Sequence, residues 1–457
     1  MAATEVDVVV IGLGVGGEEV GGRLADAGLT VVGVEHTLVG GECPYWGCIP
    51  TKMMTRAGNA LAEARRIDGL AGRATVTADW APVARRIRDE ATDDWDDKVA
   101  VDRFTGRGGR FVRGRAAIAG PGRVVVDGAD EYAARRGIVV ATGTTAVVPP
   151  IDGLAGTPYW TNREAVECAE LPASLAVLGG GAIGLELAQV YARFGVAVTV
   201  LERSERLLAM EEPESSEVAH AALTADGVTV RTGVGATAVS YADGFTLTLS
   251  DGGTVTAEKL LVATGRAARL GGLGLDTLGI EPGRFLDVDE RMRAADGLWA
   301  VGDVTGHGAF THLAMYEAGI AIRDILGREG PPADYRALPR VTFTDPEIGA
   351  VGLTEAQAAE RGIAVETAFT PLSSSSRGFI HGPGNEGFVK LVADPARGVL
   401  VGATSAGPAG GEVLGALSVA VHAEVPVSTL QHMIYAYPTF HRAIEAAVSQ
   451  FSFPPRG

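Results

Sequence analysis

Two stretches of the chain carry the same order of apolar and polar positions. Residues 6–11 form an apolar strand that runs into Gly12-x-Gly14-x-x-Gly17, a helical segment, a second apolar strand and Glu35. Residues 175–178 open the same series with Gly179-x-Gly181-x-x-Gly184, which ends at Glu202. Gly12 and Gly179, Gly28 and Gly195, and Glu35 and Glu202 are each 167 positions apart. Apolar strands of this kind belong to parallel sheets buried on both faces. A glycine-rich turn from such a strand into a helix is a βαβ dinucleotide cradle, with an acid at the next strand end for ribose hydroxyls. One such turn also fits an α/β protein without a ligand; two in register predict two dinucleotide sites.

The remaining pattern divides the chain further. Residues 138–143 and 260–265 are apolar runs that each end in a Thr-Gly turn, and 147–156, with Pro149-Pro150, reads as a linker. Residues 57–104 read as helical and charged, an insertion covering the first domain. From about 336 strand-like runs at 340–343, 387–392 and 399–403 precede helices expected at 411–424 and 439–450. The expected fold class is therefore α/β, with two Rossmann-like dinucleotide-binding domains and a C-terminal α+β domain.

Composition changes little in this picture but excludes several functions. Glycine is 63 of 457 residues, about twice its ordinary share of roughly 7%, and it gathers at the βα junctions. A net charge of -17 argues against nucleic acid and against an anionic membrane surface. No apolar run is long enough to span a bilayer. The first residues lack a basic segment and lead straight into a strand, and three cysteines make no extracellular disulfide framework. The expected location is cytoplasmic.

The densest chemistry lies at Gly40-Gly41-Glu42-Cys43-Pro44-Tyr45-Trp46-Gly47-Cys48-Ile49-Pro50-Thr51-Lys52. Cysteines five apart can bridge only if the first sits before or in the opening turn of a helix. The positive end of that helix favours the second thiol as thiolate, and Pro44 and Pro50 suit a helix start. Zinc is the competing use of a cysteine pair, but it needs four ligands, and neither a second Cys-x-x-Cys nor a nearby histidine follows. A redox pair is expected, and no metal site. Cys168, in a segment over 162–170 that reads as helical, has no partner spacing and is expected to be an ordinary buried or half-buried thiol.

This segment resembles the GGTCxNxGCxPSK signature of the flavoprotein disulfide reductases, the family of dihydrolipoamide dehydrogenase, glutathione reductase and mercuric reductase. The motif order is similar over essentially the whole chain. The resemblance implies FAD on the first fingerprint and NADH or NADPH on the second. It divides the chain into FAD-binding parts at 1–148 and 267–335, a nicotinamide domain at 149–266 and a homodimer interface domain at 336–457. It implies Cys48 as the thiol in charge-transfer contact with the flavin, Cys43 as the interchange thiol that attacks a small-molecule substrate, and Lys52 near flavin N5, paired with Glu186. A lysine buried at a flavin needs a carboxylate partner in any case. Residues 298–303, ending in Gly302 and Asp303, are similar to the second FAD motif, whose aspartate holds a ribityl hydroxyl. At Thr311-His312, where the family's chain passes the flavin, backbone amides are expected to make the contact more than the His312 ring. Gly41, Thr142, Gly143 and Gly265 complete the cofactor set. Glu202 favours NADH by repelling a 2′-phosphate, whereas Arg203 and Arg206 offer a grip on one.

One departure stands out. Most of the family carries His-Pro-x-x-x-Glu near the C-terminus, a general acid/base pair donated by the partner subunit. The aligned stretch is Tyr437-Pro438-Thr439-Phe440-His441-Arg442. A phenol with pKa about 10 is a poor base at pH 7, although it can donate a proton. His441, one helical turn on if the segment is helical, is a candidate replacement with Glu445 behind it, the alternative being a surface or dimer-contact histidine. Three readings follow. The first is reduction of a small disulfide or related sulfur acceptor with a good leaving thiol. The second is other chemistry on the same scaffold, such as carbon–sulfur cleavage, quinone reduction or metal-ion reduction. The third is a redox-sensing binding flavoprotein. The tail 451–457 has no cysteine pair of the mercuric reductase kind.

Overall fold

The computed structural model describes residues 3–453; the last four residues of the cysteine-free tail lie outside that range. The described chain divides into two compact units. One comprises the residues up to Pro50, Ala84–Val147 and Gly265–Asp334, and the other Thr51–Val83, Val148–Thr264 and the residues from Tyr335 on.

In the first unit, parallel strands lie in the order Arg110–Arg113, Val31–Glu35, Thr4–Ile11, Asp130–Val140 and Leu298–Ala300. Strand Thr4–Ile11 is central because Val8, Val9 and Val10 are apolar toward both faces and fully buried. Register then decides the site. Ile11 sits opposite Val34 and Val140, and Val140 opposite Ala300. The chain therefore leaves three neighbouring strands at one end, through Gly12, through Ala141 into Gly143, and through Val301 into Asp303, with Glu35 closing the fourth. In doubly wound sheets ligands bind at this carboxyl end, where strand order reverses.

The second unit repeats the device with strands Thr229–Arg231, Ala197–Leu201, Ser174–Leu178 and Lys259–Val262, all parallel. Leu178 lies opposite Leu201 and Val262, which brings Gly179, Glu202 and Thr264 to one end. The same unit holds a five-stranded antiparallel sheet in the order Pro339–Thr342, Glu347–Gly352, Val399–Gly407, Phe388–Asp394 and Glu366–Pro371. Helices Gly410–His422 and Ala443–Val448 cover it through a core that includes Leu391, Leu414, Leu417 and Ile444.

Three expected elements differ. The C-terminal helix expected over 439–450 is a short 3-10 turn, Phe440–Arg442, followed by Ala443–Val448. The helix around Cys168 ends at Val166. Within the charged insertion, helix Ala81–Arg86 continues into a π turn, Ile87–Ala91.

Lys390, 5% exposed, sits among Glu212 at 3.0 Å, Glu214 at 2.9 Å and Glu355 at 3.0 Å. Glu212 is itself buried, so truncating the lysine leaves a buried carboxylate unpaired. Lys390→Met is expected to lower stability by about 3–5 kcal/mol, read as a fall in the denaturant midpoint.

Candidate active site

The first cradle begins where strand Thr4–Ile11 meets helix Val15–Asp26. A Cβ on Gly17 would lie 2.0 Å from the Gly12 carbonyl oxygen, so helix and strand meet here only as glycine on glycine. At Gly14, the residue before the helix, no side chain caps the N-terminus and a Cβ would point into open space. Uncapped N–H groups at an open helix start fit a pyrophosphate, and so fit a dinucleotide such as FAD. Glu35 steadies the loop. Its Oε2 accepts from Leu13 N at 3.0 Å, and its Oε1 takes His36 N, Thr37 N and the Thr37 hydroxyl at 2.8–2.9 Å. The expectation that Glu35 serves ribose hydroxyls narrows to Oε2, because Oε1 is saturated.

The redox segment packs directly on this cradle. Gly41 has φ +69°, and a Cβ there would lie 2.9 Å from Gly14 Cα. Cys43 stands in the short turn Glu42–Tyr45, and Cys48 is the first residue of helix Cys48–Arg65. Gly47 lets the two approach, since its Cβ would lie 3.3 Å from Cys43 Cα. Both cysteines are present as thiols, Cys48 exposed and Cys43 partly so. The Cys48 sulfur beside it, and then burial, push the Cys43 thiol above its ordinary value, against a lowering by the Thr311 hydroxyl. Cys48 Sγ lies 3.4 Å from Thr311 Oγ1. Thr311 opens helix Thr311–Ile325, which has no side-chain cap. The backbone start at Thr311-His312 thus faces the thiols, while the His312 ring stacks on Phe310 at 5.2 Å.

Asp303 accepts from the Thr144 hydroxyl at 2.8 Å, and Arg266 Nε donates to the same hydroxyl at 2.9 Å. Burial raises the Asp303 carboxyl, opposed by Thr144 and Arg266. Thr144 and Arg266 were not singled out from the sequence. Each directly follows one of the two echoed Thr-Gly turns, Thr142-Gly143 and Thr264-Gly265, which was the available signal.

In the second unit, a Cβ on Gly184 would lie 2.3 Å from Gly179 O, and Gly181 is again uncapped and open. Glu202 accepts from Gly180 N and Ser204 N, both at 2.6 Å. These partners lie 167 positions beyond Leu13 and Thr37, so the echo extends to the acid's hydrogen bonds. Arg206 is removed from the coenzyme argument. Its fork donates to the carbonyls of Leu208, Ala209 and Glu211 and to the Ser216 hydroxyl at 2.8–3.1 Å. Arg203 remains exposed.

Lys52, four residues beyond Cys48 on the same helix, places Nζ 2.6 Å from Glu186 Oε2 and 4.5 Å above the Phe343 ring. Glu186 Oε1 accepts from Phe343 N at 2.8 Å. Phe343 has no signature in the sequence. At the C-terminal motif, Tyr437 is 67% exposed and the Arg442 guanidinium lies 5.4 Å above its ring. Arg442 pairs with Glu445 at 2.8 Å. The expectation that Glu445 backs His441 is thereby corrected: His441 contacts Thr439 at 3.3 Å and packs near Tyr435. With no helix between 437 and 439, the one-turn spacing from Tyr437 does not arise. Cys168 is buried, raised by burial, and donates to Glu170 O at 3.0 Å.

Two dinucleotide cradles and a dithiol at the first define a nucleotide-dependent dithiol oxidoreductase. Residues 6–318 match the family described as pyridine nucleotide-disulphide oxidoreductase, and residues 338–448 match its dimerisation domain. The chain belongs to that family, whose members use FAD and NAD(P)H, and the dimerisation domain supports a homodimer. It is 34% identical to a dihydrolipoyl dehydrogenase of Chlorobaculum tepidum, covering 97% of each chain. It is 35% identical to a mercuric reductase of Streptomyces lividans, covering 99% of this chain and 97% of that one. The Cu(II) complex of the HOCl-induced flavoprotein disulfide reductase RclA from Escherichia coli is structurally similar, with a TM-score of 0.86 at 26% identity over 99% and 100% of the chains. Among the described residues, no helix is long and apolar enough to cross a membrane.

A raised thiol keeps its proton to higher pH, so the thiolate fraction at Cys43 still climbs where an ordinary cysteine, with pKa about 8.5, has levelled off. Iodoacetamide alkylation of Cys43 in the reduced protein is expected to keep accelerating above about pH 9, with Cys168 unmodified. A plateau at pH 9, seen by peptide mass mapping, would contradict this assignment.

Proposed function

We propose that the chain passes electrons from NADH through FAD to the Cys43–Cys48 pair and on to a small disulfide or related sulfur acceptor whose leaving thiol is acidic. The observation that carries this reading is the adjacency of Cys43 and Cys48, with Cys48 at its own helix start and 3.4 Å from Thr311 at another. Two helix starts favour negative charge on Cys48. FAD, when bound, supplies the two-electron relay between nicotinamide and thiols. Gly14 and the open helix start would hold its pyrophosphate, and Asp303 a ribityl hydroxyl. Lys52, fixed by Glu186, would meet its ring. This role assignment keeps the division into flavin parts at 1–148 and 267–335, a nicotinamide domain at 149–266 and an interface domain at 336–457.

In the acceptor half, Cys43 gives up its proton to a base in the solvent and its sulfur attacks one sulfur of the acceptor disulfide, a mixed disulfide forms and one thiolate leaves. Cys48 then attacks the Cys43 sulfur, closing the intramolecular disulfide and releasing the second thiolate; NADH supplies the electron pair that reopens it. Tyr437 and Arg442 stand where the family's acid/base pair stands. General acid/base catalysis is worth about 10²–10⁴-fold, and an acidic leaving thiol needs no proton donor to depart. Glu202 at the second cradle repels a 2′-phosphate, and with Arg206 committed to backbone carbonyls only Arg203 opposes it. Metal-ion reduction is the second reading, favoured by the 35% identity to a mercuric reductase. Three cysteines and no disulfide framework suit a cytoplasmic setting.

Anaerobic titration tests the thiol roles. Two-electron reduction is expected to give a long-wavelength charge-transfer band that is lost in Cys48→Ser; a wild-type protein without the band contradicts them. NADH is expected to exceed NADPH about tenfold in kcat/KM, and the reverse order would remove the coenzyme assignment. An activated aryl disulfide should outpace lipoamide by at least about 100-fold. Tyr437→His with Arg442→Glu should narrow that gap, and rapid wild-type turnover of lipoamide would sink the acceptor reading.

A further inference from the structure

Glu317 is fully buried on helix Thr311–Ile325, at 0% exposure, and no sequence motif assigns it a role. Its Oε2 accepts from Gly302 N at 2.7 Å. The Thr305 hydroxyl, 2.9 Å from Gly302 O, also lies within 3.1–3.3 Å of both carboxylate oxygens, and His307 Nδ1 lies 3.0 Å from Oε1. The carboxylate thus grips both ends of the turn containing Asp303, whose own carboxyl is engaged by Thr144 on another side. A buried carboxylate is costly unless its oxygens are satisfied by well-placed donors. Here those donors are the Gly302 N–H, the Thr305 hydroxyl and, at Oε1, the His307 ring.

The same helix face carries two further contacts in the first unit. Ala314, one turn before Glu317, lies where a Cβ on Gly302 would come within 3.2 Å and one on Gly16 within 3.3 Å of its Cβ. Thr311, one turn earlier again, reaches Cys48 Sγ at 3.4 Å. Residues 311, 314 and 317 are spaced by three, so they share one side of the helix. That side touches the redox thiol, the first cradle's helix and the Gly302–Asp303 turn in succession.

We propose that Glu317 is a positioning residue: it pins the 302–305 turn to helix Thr311–Ile325, so that one rigid strut fixes Asp303 and the Thr311 hydroxyl at Cys48 relative to each other. The proposal rests on the reading above that Asp303 holds the flavin. Active-site groups held within about 0.5 Å need such support behind them. Glu317 itself touches no reacting atom.

The test compares wild type, Glu317→Ala, Glu317→Gln and Asp303→Asn as full-length protein. The readouts are FAD affinity by reconstitution fluorescence and charge-transfer absorbance per bound flavin at two-electron reduction. Glu317→Ala is expected to weaken FAD binding at least about tenfold and to lower the band at least about twofold in the folded fraction, judged by circular dichroism. Glu317→Gln, which still accepts from Gly302 N, should recover most of both. A folded Glu317→Ala protein with affinity and band within twofold of wild type overturns the proposal. Should that variant fail to fold, Thr305→Val takes its place, with about threefold weaker FAD binding expected; wild-type behaviour of Thr305→Val and Glu317→Gln together overturns it equally. If Asp303→Asn binds FAD as wild type does, the flavin assignment itself fails and the proposal falls with it. If Asp303→Asn weakens FAD while Glu317→Ala does not, only the proposal fails.

Discussion

The contact on which the site depends is glycine against glycine at the two strand ends. Gly17 rests on the Gly12 carbonyl and Gly184 on that of Gly179, so closely that any Cβ would fall within 2.3 Å of the oxygen. This approach lets each helix begin at the end of its strand, with its unpaired N–H groups and positive dipole end turned toward open space at Gly14 and Gly181. A side chain at either junction would push the helix back and turn those donors away from a phosphate. The acids at the next strand ends, Glu35 and Glu202, serve the same constraint by tying the loop backbone from the other side.

The dithiol uses the same electrostatics a second time. Gly41 brings the redox segment onto the Gly14 backbone, and two helices begin near the sulfurs, one at Cys48 and one, without a side-chain cap, at Thr311. The Cys48 sulfur and burial push the half-buried Cys43 thiol up, so it holds its proton to higher pH. Tyr437 and Arg442 form a phenol–guanidinium pair. The guanidinium covers the phenol ring and is held in turn by Glu445.

Much of this was legible in the chain. The 167-residue echo carried both cradles and both acids, and the 43–52 segment carried the thiols and the lysine, because tight turns and helix starts are set by local residue type. The Glu186 partner of Lys52 was legible only through resemblance, 134 residues away with no local spacing to mark it. What misled was local too. The backbone between Tyr437 and Thr439 is not helical, so His441 does not stand one turn from Tyr437, and Arg206 looked free because its acceptors are mostly backbone carbonyls, which every residue carries.

The sequence by itself determined the strands, the glycine turns, the order of motifs and the presence of Tyr437 and Arg442, since each depends on short-range sterics or on residue identity. Tertiary structure alone decided which distant groups complete the site. Strand register brought Gly12, Gly143 and Asp303 to one edge. Helix Thr311–Ile325 set Thr311 on Cys48 and Glu317 beneath Gly302, and the folded loop committed Arg206 to carbonyls. Those pairings join residues far apart in the chain, and only burial together makes a hydroxyl, a carboxylate and a backbone N–H seek one another.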